Sequence, residues 1–149
     1  MCRTSNKSYQ SYQYCYRQQA ATQARRTVKP LSMSALGARH LLIKFSGSRN
    51  PVSRRTNKST EGVTAEAAVA ELKTYIEKIN SEGGTEDVFS KYATERSDCG
   101  SFKQGGDLGE FGPGDMQQQF EKGTQDTAVG AMSGMVLSDS GYHIIWRYK

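Results

Sequence analysis

The stretch SDCGSFKQGGDLGEF, residues 97–111, places a cysteine directly before a glycine-rich turn and a short apolar strand. The two histidines of the chain lie far from this stretch in sequence, and both belong to strand-like runs. His40 opens the apolar run HLLIK, residues 40–44, and His143 lies in SDSGYHII, residues 138–145. Because strand ends and turns converge in a small fold, we expect the cysteine and both histidines to meet in one site.

The 149 residues carry a net charge of +5, and this charge is unevenly distributed. All 15 acidic residues lie from Glu61 onward, so the front of the chain is purely cationic. Such a split predicts an anionic partner for the front of the chain. Nucleic acid fits poorly, because the sequence has no zinc-finger spacing, no recognition-helix pattern and no aromatic-basic repeat. We therefore expect no nucleic-acid partner.

Residues 1–37 form a basic N-terminal extension that is polar, low in complexity and without apolar periodicity. This composition predicts disorder, because too few apolar side chains are present to offset the entropy of ordering. Pro30 and a Ser-Met-Ser run mark the end of the extension, and Met33 is a candidate translation start. The folded domain is expected over residues 38–149, an ordinary size for one domain.

The three cysteines, Cys2, Cys15 and Cys99, follow no disulfide spacing, and their odd number favours a reducing compartment. No apolar stretch approaches ~20 residues, so no membrane partner is expected. The N-terminus also lacks the apolar run of a secretory signal. We therefore expect a cytoplasmic or nuclear protein. The acid-free, arginine-bearing N-terminus keeps mitochondrial targeting as an alternative.

The remaining sequence alternates strand and helix signals, which indicates an α+β fold with a small antiparallel sheet. Residues 39–45 are short and apolar, as a central strand is. One helix is expected after Thr64 as its N-cap, and a second, shorter helix near Thr85. The apolar faces of the two helices comprise Val69, Leu72, Ile76 and Ile79 in the first, and Val88, Phe89 and Tyr92 in the second. A short strand, a helical turn and a hairpin are expected over residues 108–111, 115–120 and 135–146, respectively.

These segments resemble the parvulin-type peptidyl-prolyl isomerases, in particular the phosphorylation-dependent Pin-type members. The resemblance rests on HLLIK, the loop SGSRNP, the stretch SDCGSFKQGGDLGEF, the run MQQQF and SDSGYHII, which agree in order and spacing across residues 38–149. It implies an FKBP-like fold, with a four-stranded antiparallel sheet surrounded by about four helices. It also implies isomerase activity without a cofactor. The only tryptophan is Trp146, so the resemblance is to single-domain members without a two-tryptophan WW module.

The resemblance places Leu108, Met116 and Phe120 around the proline ring of a substrate. A branched aliphatic side chain, a thioether and an aromatic ring together make a small, adaptable apolar pocket. Plain core packing is the alternative for each of them. Gln117 is implied to make a polar contact with the peptide.

The resemblance also makes Cys99, His40, His143 and Ser138 the central polar cluster and hence the candidate catalytic residues. Two imidazoles at the centre of a sheet need hydrogen-bond partners, and a linked network supplies them. A purely structural network and a direct catalytic role both remain open for the histidines. A zinc site is disfavoured, because only three ligands are present and no two are closely spaced in sequence. We therefore expect no metal.

Lys44 and Arg49 match positions at which Pin-type parvulins hold a substrate phosphate. A phosphate offers nearly two negative charges and oxygens that a guanidinium grips in bidentate fashion. Asn50 stands where the family has a second arginine, and it donates a hydrogen bond without a charge. Arg54 and Arg55 are further candidates for the missing charge, with a solvated basic loop as the alternative reading.

The resemblance thus implies a monomeric enzyme whose partners are signalling proteins, such as cell-cycle proteins, phosphorylated on Ser or Thr before proline. Two alternatives remain open. One is a phosphate-indifferent parvulin that assists folding, and the other is a phosphoSer/Thr-Pro binding adaptor with little turnover. Lys44 and Arg49 argue against the first, and the cysteine–histidine cluster with its apolar pocket argues against the second.

Overall fold

The computed structural model describes residues 35–149. The elements are β1 (Leu36–Ile43), α1 (Ala65–Ser81), α2 (Glu86–Arg96), a 3-10 helix (Gly100–Gln104), β2 (Asp107–Phe111), α3 (Gln118–Gln125), β3 (Ala131–Met132), β4 (Val136–Ser138) and β5 (Gly141–Arg147). The predicted α+β fold is confirmed. Met33, the candidate start, and most of the predicted disordered extension over residues 1–37 lie outside the described residues. Leu36 and Gly37 are ordered, because β1 already pairs with β2 there.

The sheet is antiparallel, with β1 between β2 and β5. Four strands were expected and five are present, because the position beside β5 is occupied by two short strands, β3 and β4. Residues 133–135 separate them. The Ile145 N–H donates to Ser133 Oγ at 2.9 Å instead of to a backbone carbonyl, which interrupts the strand ladder. Three α-helices and the 3-10 helix match the expected number of helices.

Helices α1 and α2 begin at the predicted caps. The Thr64 hydroxyl accepts the N–H of Ala67 at 3.2 Å, and the Thr85 hydroxyl accepts the N–H of Val88 at 3.4 Å. The buried face of α1 is rotated slightly from the predicted one. Ala68, Leu72, Tyr75 and Ile79 are buried, whereas Val69 and Ile76 lie half-buried at the edge of the same core. In α2 the buried residues are Phe89, Tyr92 and Ala93, and Val88 is half-buried.

The two faces of the sheet carry different cores. One core holds β1 and β5 side chains such as Leu41 and Ile144 with α1 and α2. The other is smaller and consists of Ala38, Phe111, Phe120 and Ile145, with Phe120 contributed by α3. Because side chains alternate along a strand, His40 and His143 point to the α3 face, in register with Ile145 and Leu42. The alternation of side chains along β1 and β5 therefore places both histidines on the same face of the sheet as the smaller core.

The hairpin of β4 and β5 turns at Asp139 and Ser140, as predicted, with Ser138 paired to Gly141. Gly141 has φ +137°, and a Cβ there would lie 2.5 Å from the Ile43 carbonyl oxygen. Only glycine fits this close approach of β5 to the end of β1. Within residues 35–149, no helix has the length and apolar character needed to cross a membrane.

Candidate active site

The two histidine rings form the centre of a continuous polar network. His40 Nδ1 lies 3.0 Å from His143 Nδ1, and the rings are nearly parallel, with centroids 5.1 Å apart. At the far end, Ser138 Oγ lies 2.6 Å from His143 Nε2. At the near end, His40 Nε2 lies 3.2 Å from Ser101 Oγ. The network thus runs from the hairpin through the sheet to the 3-10 helix.

Burial, together with the charge of His40, lowers the pKa of His143 well below its ordinary value. His143 is therefore neutral and has a single N–H. Of the two facing Nδ1 atoms, one must donate and the other accept. If His40 Nδ1–H donates to His143 Nδ1, the single N–H of His143 lies on Nε2 and donates to the Ser138 hydroxyl. The remaining ring nitrogen, His40 Nε2, faces Ser101 Oγ of the 3-10 helix.

Cys99 lies at the start of that helix, where its thiol is partly buried. Burial by itself would raise the pKa of the thiol. The hydrogen bond and positive charge of His40 and the Ser101 hydroxyl and backbone outweigh this effect and lower the pKa to about 6. The lowered pKa favours the thiolate form of Cys99 at neutral pH, with His40 and Ser101 as its hydrogen-bond partners. Sequence inspection missed Ser101, although its place two residues after Cys99 in the SDCGS run was a usable signal.

The glycine-rich stretch packs closely against β1 because Gly105 and Gly106 have no side chains. The His40 N–H donates to the Gly106 carbonyl at 2.9 Å, and Gly106 has φ +78°. A Cβ at Gly106 would overlap the His40 carbonyl oxygen. Gly105, with φ +65°, ends the 3-10 helix in the left-handed conformation. These two residues turn the chain from Cys99 back into β2.

The predicted proline-pocket residues lie on the same face of the sheet as the histidines. Phe120 is buried, and its ring is edge-on to both imidazoles, with centroids 5.5 Å from His40 and 5.3 Å from His143. Leu108 and Met116 are partly exposed and pack against the core that contains Phe120. The three side chains together form an apolar floor whose outer part is open to solvent.

The loop before α3 is fixed by a residue that sequence inspection missed. Glu121 Oε1 accepts the N–H of Gly114 at 2.8 Å and that of Met116 at 3.0 Å. Gln117 is the N-terminal cap residue of α3, is half-buried, and makes no capping bond with its side chain. Glu121 therefore positions Met116 in the pocket, while the Gln117 side chain is free of a structural role at the helix end.

The predicted anion-binding residues lie in the loop after β1. Lys44 is buried, and its ammonium donates to the carbonyls of Asn50 at 2.9 Å and Val52 at 2.8 Å. Burial lowers the pKa of Lys44, and the charge of Arg54 lowers it further. Two of its three N–H groups thus hold the loop, and one remains without a partner among the described residues. Arg49 is exposed, and its backbone N–H donates to the Asp139 carbonyl at 2.7 Å.

The other loop candidates differ in exposure. Asn50 and Arg54 are exposed, whereas Arg55 is half-buried and its Nε atom is enclosed without a hydrogen-bond partner. Arg55 is therefore the least suitable of the predicted cations for a solvent-accessible anion.

Asp98 ties the loop, β1 and α2 together, a role that sequence inspection did not assign. It is only 2% exposed. Its carboxylate accepts the Lys44 N–H at 3.0 Å, the Ser53 hydroxyl at 2.5 Å and the Arg96 guanidinium at 3.0 Å. Its own N–H donates to the Leu42 carbonyl at 2.8 Å. Cys99 is consequently held at a fixed distance from the cationic loop.

The described residues contain no group of three or more His, Cys, Asp or Glu side chains arranged to hold a metal ion. The site is instead a cysteine–histidine network beside the apolar floor of Leu108, Met116 and Phe120 and the basic loop after β1.

A family model described as "Rotamase: PPIC-type PPIASE domain" matches residues 40–148. The chain belongs to the parvulin-type peptidyl-prolyl isomerase family. This parvulin is 46% identical over 121 residues to peptidyl-prolyl cis-trans isomerase Pin1 of Arabidopsis thaliana, covering 78% of this chain and 97% of that relative. It is 44% identical over 108 residues to peptidyl-prolyl cis-trans isomerase ESS1 of Saccharomyces cerevisiae, covering 72% of this chain and 62% of that relative.

Solved structures agree with this assignment. The solution structure of TbPIN1 matches the parvulin with a TM-score of 0.68 at 50% identity, over 77% of this chain and 97% of that one. ESS1 from Candida albicans matches with a TM-score of 0.72 at 31% identity, over 95% of this chain and 77% of that one. The predicted family is confirmed, and the chain is a peptidyl-prolyl cis/trans isomerase.

Proposed function

We propose that this isomerase acts preferentially on phosphoSer-Pro and phosphoThr-Pro bonds. The observation that carries the proposal is the cationic loop of Lys44, Arg49 and Arg54, which Asp98 holds beside the Cys99 segment. The isomerase names of the relatives add support, since two of them are called Pin1 or ESS1.

The chemistry required is rotation about an amide bond whose barrier, roughly 18–20 kcal/mol, arises from resonance. Resonance makes the carbonyl oxygen of the planar amide more negative than that of the twisted amide. A thiolate at Cys99 near this oxygen therefore disfavours the planar state more than the twisted state. Leu108, Met116 and Phe120 hold the proline ring while the preceding carbonyl rotates. No covalent bond breaks, so no adduct forms on Cys99.

A phosphate on the residue before proline carries about −1.5 to −2 charges at neutral pH. The exposed guanidinium of Arg49 can grip two of its oxygens, and the remaining N–H of Lys44 can donate to a third. Both cations contact only the phosphate and not the rotating bond. Arg49 therefore contributes to turnover of phosphorylated substrates alone, whereas Lys44 also holds the loop through the Asn50 and Val52 carbonyls.

The experiment compares kcat/KM on matched pSer-Pro and Ala-Pro peptides for Arg49→Ala and Lys58→Ala. Lys58 is an exposed cation of the same loop and serves as the matched control. A charge-assisted hydrogen bond contributes about 1.5–3 kcal/mol, so Arg49→Ala should lower pSer-Pro turnover roughly 10- to 100-fold and leave Ala-Pro turnover nearly unchanged. Equal losses on both peptides would refute the proposal. Arg49 is preferred to Lys44 for this test because Lys44 also holds the loop.

We further propose that the protein acts as a monomer in the cytoplasm or nucleus, on phosphorylated proteins. The large hydrophobic side chains exposed in residues 35–149 are Val52, Val129 and Leu137, which lie on separate segments. The odd number of cysteines supports a reducing compartment. Light scattering of the purified chain tests the first point, and imaging of a tagged chain in its own cells tests the second.

A further inference from the structure

Arg54 lies across the segment that carries the thiol. Its backbone N–H donates to the Asp98 carbonyl at 3.0 Å. Its side chain extends over Gly100, where an added Cβ would lie 3.6 Å from Arg54 Cδ and 4.0 Å from Arg54 Nη1. Gly100 directly follows Cys99, so the exposed guanidinium of Arg54 stands at the border between the cationic loop and the thiol.

The charge of Arg54 acts on the ammonium of Lys44. After burial, Arg54 is the largest cause of the lowered pKa of Lys44, ahead of Arg49. The two cations therefore lie within electrostatic reach of each other, and Arg54 acts on Lys44 more strongly than Arg49 does.

No carboxylate in residues 35–149 forms an ion pair with Arg54. Asp98 is the acidic residue that acts on Lys44, but its oxygens are already occupied by Lys44 N–H, Ser53 and Arg96. Like charges held together without a compensating acid cost free energy in the unliganded protein. A bound anion relieves that repulsion, and an arginine fork with a lysine N–H matches the oxygens of a phosphate.

Asn50, which stands before Pro51, brings no charge to this anion site. Its carbonyl accepts a hydrogen bond from the Lys44 ammonium, and its side chain is exposed. The loop therefore needs a second guanidinium from another position if a dianion is to be gripped from two sides. Arg54 is exposed and held by its backbone, whereas Arg55 has its Nε atom enclosed.

We propose that Arg54 is a specificity-determining residue that supplies the second guanidinium of the phosphate site, in place of a cation at position 50. This inference rests on the proposed phosphate preference. It places the phosphate between Arg49 and Gly100, with Lys44 beneath it and Cys99 next to it. The side of the phosphate facing the thiol is then covered by Arg54, and the solvent side by Arg49.

The test measures kcat/KM on matched pSer-Pro and Ala-Pro peptides for Arg54→Ala, Arg54→Lys, Arg49→Ala and the control Lys58→Ala. We expect Arg54→Ala to reduce the ratio of pSer-Pro to Ala-Pro turnover about tenfold or more, as loss of one charge-assisted contact does. Arg54→Lys should recover part of the ratio, because the charge remains and the fork is lost. In the Arg54→Ala background, Asn50→Arg should restore the ratio by returning a guanidinium to the loop.

Three outcomes are distinguishable. If Arg49→Ala loses the ratio and Arg54→Ala behaves like Lys58→Ala, the assignment of Arg54 is wrong and the phosphate preference stands. If the wild-type protein turns over both peptides equally, the proposed function fails and the role of Arg54 fails with it. If Arg54→Ala lowers turnover of both peptides equally, Arg54 acts on the thiol or the fold and not on the phosphate.

Discussion

Replacing Asp98 with alanine tests whether this buried carboxylate holds the site together. The carboxylate is the shared acceptor for a backbone N–H of Lys44, the hydroxyl of Ser53 and the guanidinium of Arg96. These three donors come from the end of β1, the cationic loop and the end of α2. Removing their acceptor should therefore loosen the loop and lower the stability of the whole domain.

The magnitude follows from what each donor loses. The Lys44 N–H and the Ser53 hydroxyl are left buried and unpaired, at a cost of about 1–3 kcal/mol each. Arg96 keeps both oxygens of Glu71, so the full penalty of a stranded buried charge, about 3–5 kcal/mol, does not apply. We expect the free energy of unfolding to fall by about 3 kcal/mol, a large share of the roughly 5–15 kcal/mol available to a domain.

Urea unfolding followed by tryptophan fluorescence is a suitable assay, since Trp146 is buried in β5. Asp98→Asn should cost less, about 1–2 kcal/mol, because the amide oxygen still accepts one bond. Asp126→Ala is the surface control, since it removes the exposed Lys122–Asp126 pair worth about 0.3–0.5 kcal/mol. If Asp98→Ala destabilises no more than Asp126→Ala, the carboxylate does not hold these elements together.

Further predictions concern the thiol, the pH dependence of stability and the glycine turn. The rate of Cys99 alkylation, read by mass spectrometry of its peptide, should rise with pH with a midpoint near pH 6. Ser101→Ala should move that midpoint to higher pH, because Ser101 helps to lower the pKa of the thiol. A wild-type midpoint at the ordinary pKa of a thiol would contradict the lowered pKa of Cys99. The free energy of unfolding should increase from about pH 5 to about pH 8. In this range His143 and Cys99 bind more protons in the unfolded chain than in the folded chain, because folding lowers the pKa of both groups. A flat profile would argue against both pKa shifts. Gly106→Ala should lower the free energy of unfolding by about 3 kcal/mol or more, because the new Cβ overlaps β1. Gly109→Ala is the control: its φ is +70° and no atom lies within 4 Å of the new Cβ, so it should cost only about 1–2 kcal/mol. Similar losses for the two variants would refute the overlap with β1.

Features with a local cause could be predicted from the sequence. The caps at Thr64 and Thr85 need only a hydroxyl three residues before an N–H, and the hairpin needs only a polar turn followed by Gly141. The convergence of His40 and His143 also follows from the strand period once their strands are paired.

Features that depend on distant contacts could not be predicted in this way. Asp98 becomes a shared acceptor only because β1, the loop and α2 meet around it. The resemblance implies that Lys44 binds phosphate, but it does not reveal that the folded loop directs two of the three ammonium N–H groups to backbone carbonyls. The break between β3 and β4 likewise depends on the Ser133 hydroxyl reaching Ile145, twelve residues along the chain.

We propose that the site combines an isomerase pocket with a phosphate-binding loop. The most direct measurement is exchange spectroscopy on matched pSer-Pro, Glu-Pro and Ala-Pro peptides with the wild-type protein at two salt concentrations. We predict fastest catalysed exchange for pSer-Pro, an intermediate rate for Glu-Pro and the slowest for Ala-Pro, with the pSer-Pro advantage shrinking as salt screens the loop cations. Equal exchange on all three peptides would identify a phosphate-indifferent isomerase. Tight pSer-Pro binding without catalysed exchange would identify a binding adaptor. Either result would contradict the proposed preference for phosphorylated substrates.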